Sequence, residues 1–183
     1  MKAYAVALVL VVVAFLTLPL TAEDYPKAEI FGGYQYLHLG NGADINASGW
    51  NASLTGNFNG WFGVSADFSG DYKTDAHTIG PIIANVDTKI YSYAGGPVVS
   101  LNSGGKINPF VQALFGGAHL SASASGAGSG SSNGFTTMVG GGADFKINRA
   151  FAFRGLADWV YYRFSGDNES HNLRVSLGIV LRF

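Results

Sequence analysis

The 183-residue sequence contains no cysteine, which excludes a disulfide scaffold, and only 13% of its residues are charged. An average soluble domain carries about 25% charged residues, so this scarcity argues against an ordinary water-exposed globule. The 11 basic and 12 acidic residues nearly cancel to a formal charge of -1. No basic patch is large enough to neutralise a phosphate backbone, so nucleic acid is not an expected partner. Beyond the first 22 residues there is also no run of about 20 apolar residues, the length a membrane-spanning helix needs. No metal-protease helix motif, phosphate-binding loop or nucleophile elbow is found, and no cofactor is expected. What is present points elsewhere: 48% of the residues are hydrophobic and 14% aromatic, which excludes disorder, and there are 26 glycines.

Residues Met1 to Ala22 begin with Lys2, run through an apolar stretch from Ala5 to Leu20 and end in Leu20-Thr21-Ala22, before the acidic pair Glu23 and Asp24. This is the pattern of a secretory signal peptide cleaved after Ala22. Thr17 and Pro19 interrupt the stretch, which is too short for permanent anchoring. Residues 23–183 are left as one domain.

That domain alternates with a period of two, the signature of strands whose successive side chains point to opposite faces. In the last segment Leu173, Val175, Leu177, Ile179, Leu181 and Phe183 share one face, while Asn172, Arg174, Ser176, Gly178, Val180 and Arg182 share the other. Eight segments read this way: Glu29 to His38, Trp50 to Phe58, Trp61 to Tyr72, Asp87 to Leu101, Pro109 to Leu120, Phe135 to Lys146, Ala150 to Phe164 and the last. Long connections at Leu39 to Gly49, Lys73 to Val86 and Ser121 to Gly134 alternate with short ones such as Asn59-Gly60 and Ile147 to Arg149. Asn59-Gly60 is expected to be a two-residue turn with positive φ at both positions. The Ser, Ala and Gly run of Ser121 to Gly134 is expected to be a mobile surface loop.

Alternation alone does not say which face is outside. A soluble carrier barrel would hold its apolar face inward. Against this, Tyr36, Trp50, Tyr72, Tyr91, Tyr93, Trp159, Tyr161 and Tyr162 fall toward the long-loop ends, as an interfacial belt requires. Phe31, Phe58, Trp61, Phe62, Phe110, Phe151, Phe153 and Phe183 fall toward the opposite ends. The polar faces are rich in Gly, Ser, Asn and Thr, which suits a narrow filled interior. The expectation is an all-β, eight-stranded antiparallel up-and-down transmembrane barrel, closed because lipid offers no partner to an open strand edge.

The ending Ser176-Leu177-Gly178-Ile179-Val180-Leu181-Arg182-Phe183 resembles the assembly signal of bacterial outer-membrane barrels. With Gly32-Gly33-Tyr34, Gly95-Gly96-Pro97, Pro109-Phe110, Arg154 and Asp158, the chain resembles the small eight-stranded family that includes the membrane domain of outer-membrane protein A and the opacity proteins. The resemblance implies a bacterial outer-membrane location among lipid and lipopolysaccharide, and a monomer. It also implies that Ser176, Gly178, Leu181 and Phe183 are read by the barrel-assembly machinery.

Eight strands enclose a space that side chains can fill. By parity Glu29, Asp67, Asp144, Arg154, Asp158, Arg174 and Arg182 point inward as a polar plug, with Arg154 and Asp158 expected to pair at its centre. The expected role is structural or adhesin-like, through four external loops and an extracellular ligand that the sequence does not name. A narrow gated pore, a lipid A-modifying enzyme and a soluble ligand carrier are the alternatives. His38, His77, His119 and His171 fall near separate long connections, and no metal site is expected. His119 with Ser121, and Glu169 with Ser170 and His171, supply residue types of a hydrolase, but the spacing does not support one, since adjacent residues on a strand point to opposite faces. No catalytic site is expected.

Overall fold

The computed structural model describes residues 25–40, 45–79, 82–124, 128–164 and 168–183. The leader expected over residues 1–22 lies outside the described residues. The strands are β1 (Ala28–Leu39), β2 (Ile45–Asn57), β3 (Phe62–Ile79), β4 (Ile82–Ser100), β5 (Ile107–Ala124), β6 (Gly128–Lys146), β7 (Phe151–Phe164) and β8 (Asn168–Arg182). Each pairs antiparallel with the next, and β8 returns to β1 to close the barrel.

The alternation resolves in favour of an apolar exterior. On β8, Leu173, Val175, Leu177, Ile179 and Leu181 are exposed, while Asn172, Arg174, Ser176, Val180 and Arg182 are buried. Val64, Phe68, Val111, Phe115, Val139 and Phe153 add to the exposed apolar surface. Tyr36, Trp50, Tyr72, Tyr91, Tyr93 and Trp159 ring one end of it, and Phe58, Trp61 and Phe151 the other. Such a surface would be untenable in water and is the one a hydrocarbon environment favours.

The closing seam is in register from Glu29 opposite Arg182 to Leu39 opposite Asn172. The last residue extends it: Lys27 N and Ala28 N donate to the Phe183 carbonyl at 2.7 and 3.2 Å, and Phe183 N donates to the Ala28 carbonyl at 2.9 Å. Within the seam Gly178 lies opposite Gly33, and a Cβ on Gly178 would run into the carbonyl oxygen of Gly32. The two backbones approach this closely only because no side chain intervenes.

Both ends depart from the sequence-based expectation. At the end that holds residues 25–27 and Phe183, the Asn59-Gly60 turn is not the expected type, because Gly60 does not take a positive φ. Instead the Asn59 side-chain oxygen accepts from the N–H groups of Trp61 (3.0 Å) and Phe62 (2.7 Å). Asn148 accepts from Ala150 and Phe151 in the same way, at 2.9 and 2.8 Å. The side chain thus replaces a turn carbonyl and removes the need for left-handed backbone. At the other end, most of the segments expected as long loops are strand. Of the run expected to be a mobile loop, Ser121 to Ala124 continue β5 and residues 128–134 belong to β6. Ser121 to Ala124 are paired on both sides, with β4 and with β6, so their backbone groups are satisfied as a continuation of the barrel wall. Strands β3 to β6 therefore reach 18 or 19 residues. A tilted strand crosses a bilayer in about 9–11 residues, which leaves ribbons that project beyond it.

Gly178→Val should destabilise the refolded barrel by about 1–3 kcal/mol through overpacking at the seam. Gly104→Val, where nothing lies within 4 Å, is the control and should leave the urea midpoint in detergent micelles nearly unchanged. Equal midpoints for the two variants would contradict the seam argument.

Candidate functional site

All seven residues assigned inward by parity are buried. They form two separate groups. In the first, Asp144 of β6 lies directly opposite Arg154 of β7, and the guanidinium grips the carboxylate with two bonds, Nε to Oδ1 at 2.6 Å and Nη2 to Oδ2 at 2.8 Å. Arg154 Nη2 also reaches Glu29 Oε2 on β1 at 2.8 Å. The other oxygen of Glu29 accepts from Arg182 Nε at 3.1 Å, its neighbour across the seam. The rings of Phe110 and Phe31 lie 4.6 and 5.6 Å from the Arg154 guanidinium carbon, so the cation is held between carboxylates and aromatic faces.

The second group is centred on Arg174 of β8. Its Nε and Nη2 donate to Asp158 Oδ2 at 3.1 and 2.6 Å, and its Nη1 crosses to Asp67 Oδ1 on β3 at 2.8 Å. The remaining carboxylate oxygens are taken by amides: Gln112 Nε2 donates to Asp158 Oδ1 at 3.0 Å and Asn51 Nδ2 to Asp67 Oδ2 at 2.9 Å. Gly140 lies opposite Asp158, and a Cβ there would occupy the space of the Asp158 carboxylate. Further toward the ribbons, Gln35 Nε2 donates to Asp71 Oδ1 at 2.7 Å. A buried charge is tolerable only with such pairing, because an isolated ion in a low-dielectric interior carries a desolvation penalty of several kcal/mol. An apolar layer that includes Leu37, Ile90, Leu114, Met138, Val160 and Tyr162 packs inside the barrel as well.

Three expectations are corrected. Arg154 and Asp158 do not pair with each other. They lie on the same face of one strand, four residues and roughly 13 Å apart at about 3.3 Å per residue, and each meets a partner directly across a ladder instead. Tyr162 does not belong to the outer belt; it is buried inside, where its hydroxyl lies 3.4 Å from Ser92 Oγ. Phe31 and Phe110 do not face lipid but pack inside against Arg154. For the three aromatics parity carried the signal, since Tyr162 is in phase with Asp158, Phe31 with Glu29 and Phe110 with Gln112. Asp71 was missed for the same kind of reason, as it continues the inward series Ser65, Asp67 and Ser69. Gln35, Asn51 and Gln112 carried no signal beyond parity.

Of the residues expected to form an assembly signal, Ser176 is buried inside, Gly178 is at the close approach of the seam, Leu181 faces outward and Phe183 ends the seam with backbone bonds. His38 and His119 stand on β1 and β5 near the ribbon end, on faces shared with exposed residues. The side chains of His77, Glu169, Ser170 and His171 lie outside the described residues.

A closed antiparallel barrel with a lipid-compatible exterior, aromatic rings at both ends and a paired, charged interior is an integral membrane barrel that crosses by strands. The chain belongs to the outer membrane protein beta-barrel domain family, whose model matches residues 6–183. Among solved structures it is similar to Ail, the attachment invasion locus protein of Yersinia pestis, at 24% identity and a TM-score of 0.63, covering 87% of this chain and 99% of that one. It is also similar to Neisserial surface protein A, at 12% identity and a TM-score of 0.71 over 86% of this chain and 97% of that one. OprG of Pseudomonas aeruginosa matches at 11% identity and a TM-score of 0.51, over 87% and 96%. At these identities the likeness is one of fold. No curated protein matches the chain.

Arg174→Met strands two buried carboxylates and should cost about 3–5 kcal/mol of unfolding free energy. Adding Asp67→Asn and Asp158→Asn should recover much of that loss, because neither of the two carboxylates that Arg174 pairs is then left charged. Urea titration of the refolded barrel reads both. A triple variant no more stable than Arg174→Met would show that the loss is not electrostatic.

Proposed function

We propose that the protein is a solute-closed barrel of the bacterial outer membrane whose outer ribbons serve contact at the cell surface. Export would use the leader ending at Ala22, and insertion would use the barrel-assembly machinery acting on Ser176, Gly178, Leu181 and Phe183. The observation that carries the closed reading is the pair of cross-lumen ion-pair groups. Arg174 ties β8 to β3 and β7, and Arg154 ties β7 to β6 and β1. Passage of a hydrated ion requires these buried pairs to part, at a penalty of several kcal/mol for each charge left alone. The contact reading is supported by ribbons longer than a bilayer requires. It also draws on Ail, which has been crystallised with the heparin analogue sucrose octasulfate. A surface ligand on another cell is the corresponding partner here.

Orientation is testable because the chain has no cysteine of its own. A membrane-impermeant maleimide should label Ser131→Cys on intact cells, while Asn148→Cys should react only after the outer membrane is permeabilised. The reverse pattern would place the ribbons in the periplasm and end the surface reading. In planar bilayers the intact barrel should give no discrete conductance steps, and Arg154→Ala with Arg174→Ala should introduce them. Steps of equal size from the unaltered protein would favour the gated pore instead.

A further inference from the structure

The β5–β6 hairpin carries a feature that the surface-contact reading does not use. His119 of β5 is directly opposite Asn133 of β6, and His119 Nδ1 lies 2.7 Å from Asn133 Oδ1. An amide oxygen only accepts, so Nδ1 carries the proton and the lone pair of the ring is on Nε2. Ser121, two residues along β5 and therefore on the same face, places its Oγ 3.1 Å from that Nε2. A hydroxyl is thus aligned with a base whose tautomer is held by a third group, the geometry of an activated serine.

The barrel offers an internal comparison. His38 Nδ1 makes the same 2.7 Å contact with Asn46 Oδ1 across the β1–β2 ladder. Two residues after His38 stands Gly40, so that pair has a base and an orienting group but no nucleophile. A cross-strand His–Asn pair therefore occurs twice at this end of the barrel among the described residues. The hydroxyl is what distinguishes the β5–β6 copy.

The surroundings indicate the substrate. His119 and Ser121 are in phase with the exposed Val111 and Phe115, so they face outward and not into the lumen. On β4, Tyr91 lies opposite His119 and Lys89 opposite Ser121, both exposed. Tyr91 belongs to the aromatic ring of the ribbon end, its ring 5.9 Å from that of Tyr72. Such rings mark the boundary between acyl chains and headgroups, the level at which the ester bonds of lipids lie. Lys89 adds a positive charge beside the hydroxyl.

We propose that Ser121, His119 and Asn133 form a hydrolytic group on the lipid-facing side of the barrel that cleaves acyl esters of the surrounding lipid. Ser121 Oγ attacks the ester carbonyl carbon as its proton passes to His119 Nε2. The carbonyl becomes an oxyanion, and Lys89 supplies the nearest cation in register. The carbon–oxygen ester bond then breaks, and the imidazolium returns the proton to the leaving alcohol. Water adds to the acyl-serine with His119 as base, and fatty acid departs as Ser121 regains its proton. The net reaction is ester plus water to acid plus alcohol. Asn133 is a positioning residue that holds the imidazole.

The test uses the full chain refolded into vesicles, with folding of each variant checked by gel migration before and after boiling. A fluorophosphonate probe should modify Ser121, located by peptide mass. Fatty acid should be released from phosphatidylethanolamine vesicles, from lipopolysaccharide-containing vesicles, or from both, and the two arms separate the possible lipid sources. Ser121→Ala should abolish labelling and release, and His119→Ala should slow release by about 10²–10⁴-fold. Asn133→Ala should slow both, Asn133→Asp should restore them by offering the same acceptor, and His38→Ala should change neither. A folded barrel unlabelled at Ser121, or release that survives Ser121→Ala, would overturn the proposal. Labelling without fatty acid from either vesicle would overturn the lipid-ester assignment.

Discussion

Lipid offers neither donor nor acceptor to a peptide group, so a strand edge left open at membrane depth costs several kcal/mol for each unsatisfied group. Much of this molecule follows from that constraint. The eight strands have no free edge because β8 returns to β1, and the seam is carried to the last residue by the backbone of Phe183. The glycine at position 178 serves the same end, since a side chain there would hold the two strands apart. Closure then sets the lumen width, and the lumen width sets which inward side chains can touch.

Closure of eight strands turns a polar interior into a pairing problem. Charges on inward faces are withdrawn from water by the wall and by one another, so each must find a partner within the lumen. Direct cross-strand neighbours supply the first partner, as for Asp144 with Arg154 and Asp158 with Arg174. Longer reaches across the lumen supply the second, to Glu29 and Asp67. The two guanidinium centres thereby brace strands that are not adjacent in the ladder. Leu156, between Arg154 and Asp158 on the inward face of β7, packs with Val98 and Phe110 and separates the two groups.

The same ladder geometry acts on the outside. At the aromatic ring, where acyl chains give way to headgroups and Tyr91 lies opposite His119, outward cross-strand neighbours can be polar, as His119 with Asn133 are. Alternation along β5 brings Ser121 to the same face as His119. No loop is needed to assemble this group, which gives it the rigidity of a hairpin. Tyr72, Tyr91 and Trp50, linked by hydroxyl and indole contacts of 3.3 Å, hold the neighbouring surface in place.

Much of the architecture was legible in the sequence because side-chain direction along a strand is a local property with a period of two. The inward placement of Glu29, Asp67, Asp144, Arg154, Asp158, Arg174 and Arg182 followed from it. So did the number of strands and the short connections at one end. Strand lengths were not legible at the ribbon ends, where pairing of β5 with both β4 and β6 extends the wall through a Ser, Ala and Gly run that has no apolar face. Nor were the partners. Arg154 with Asp144 in place of Asp158, and Asn133 completing the pair of His119 and Ser121, depend on the register between strands and on closure of the ring. Alternation by itself determined which way each residue points; the tertiary structure alone decided what it meets, because register relates residues that are distant in sequence and leaves no trace in a period-two pattern.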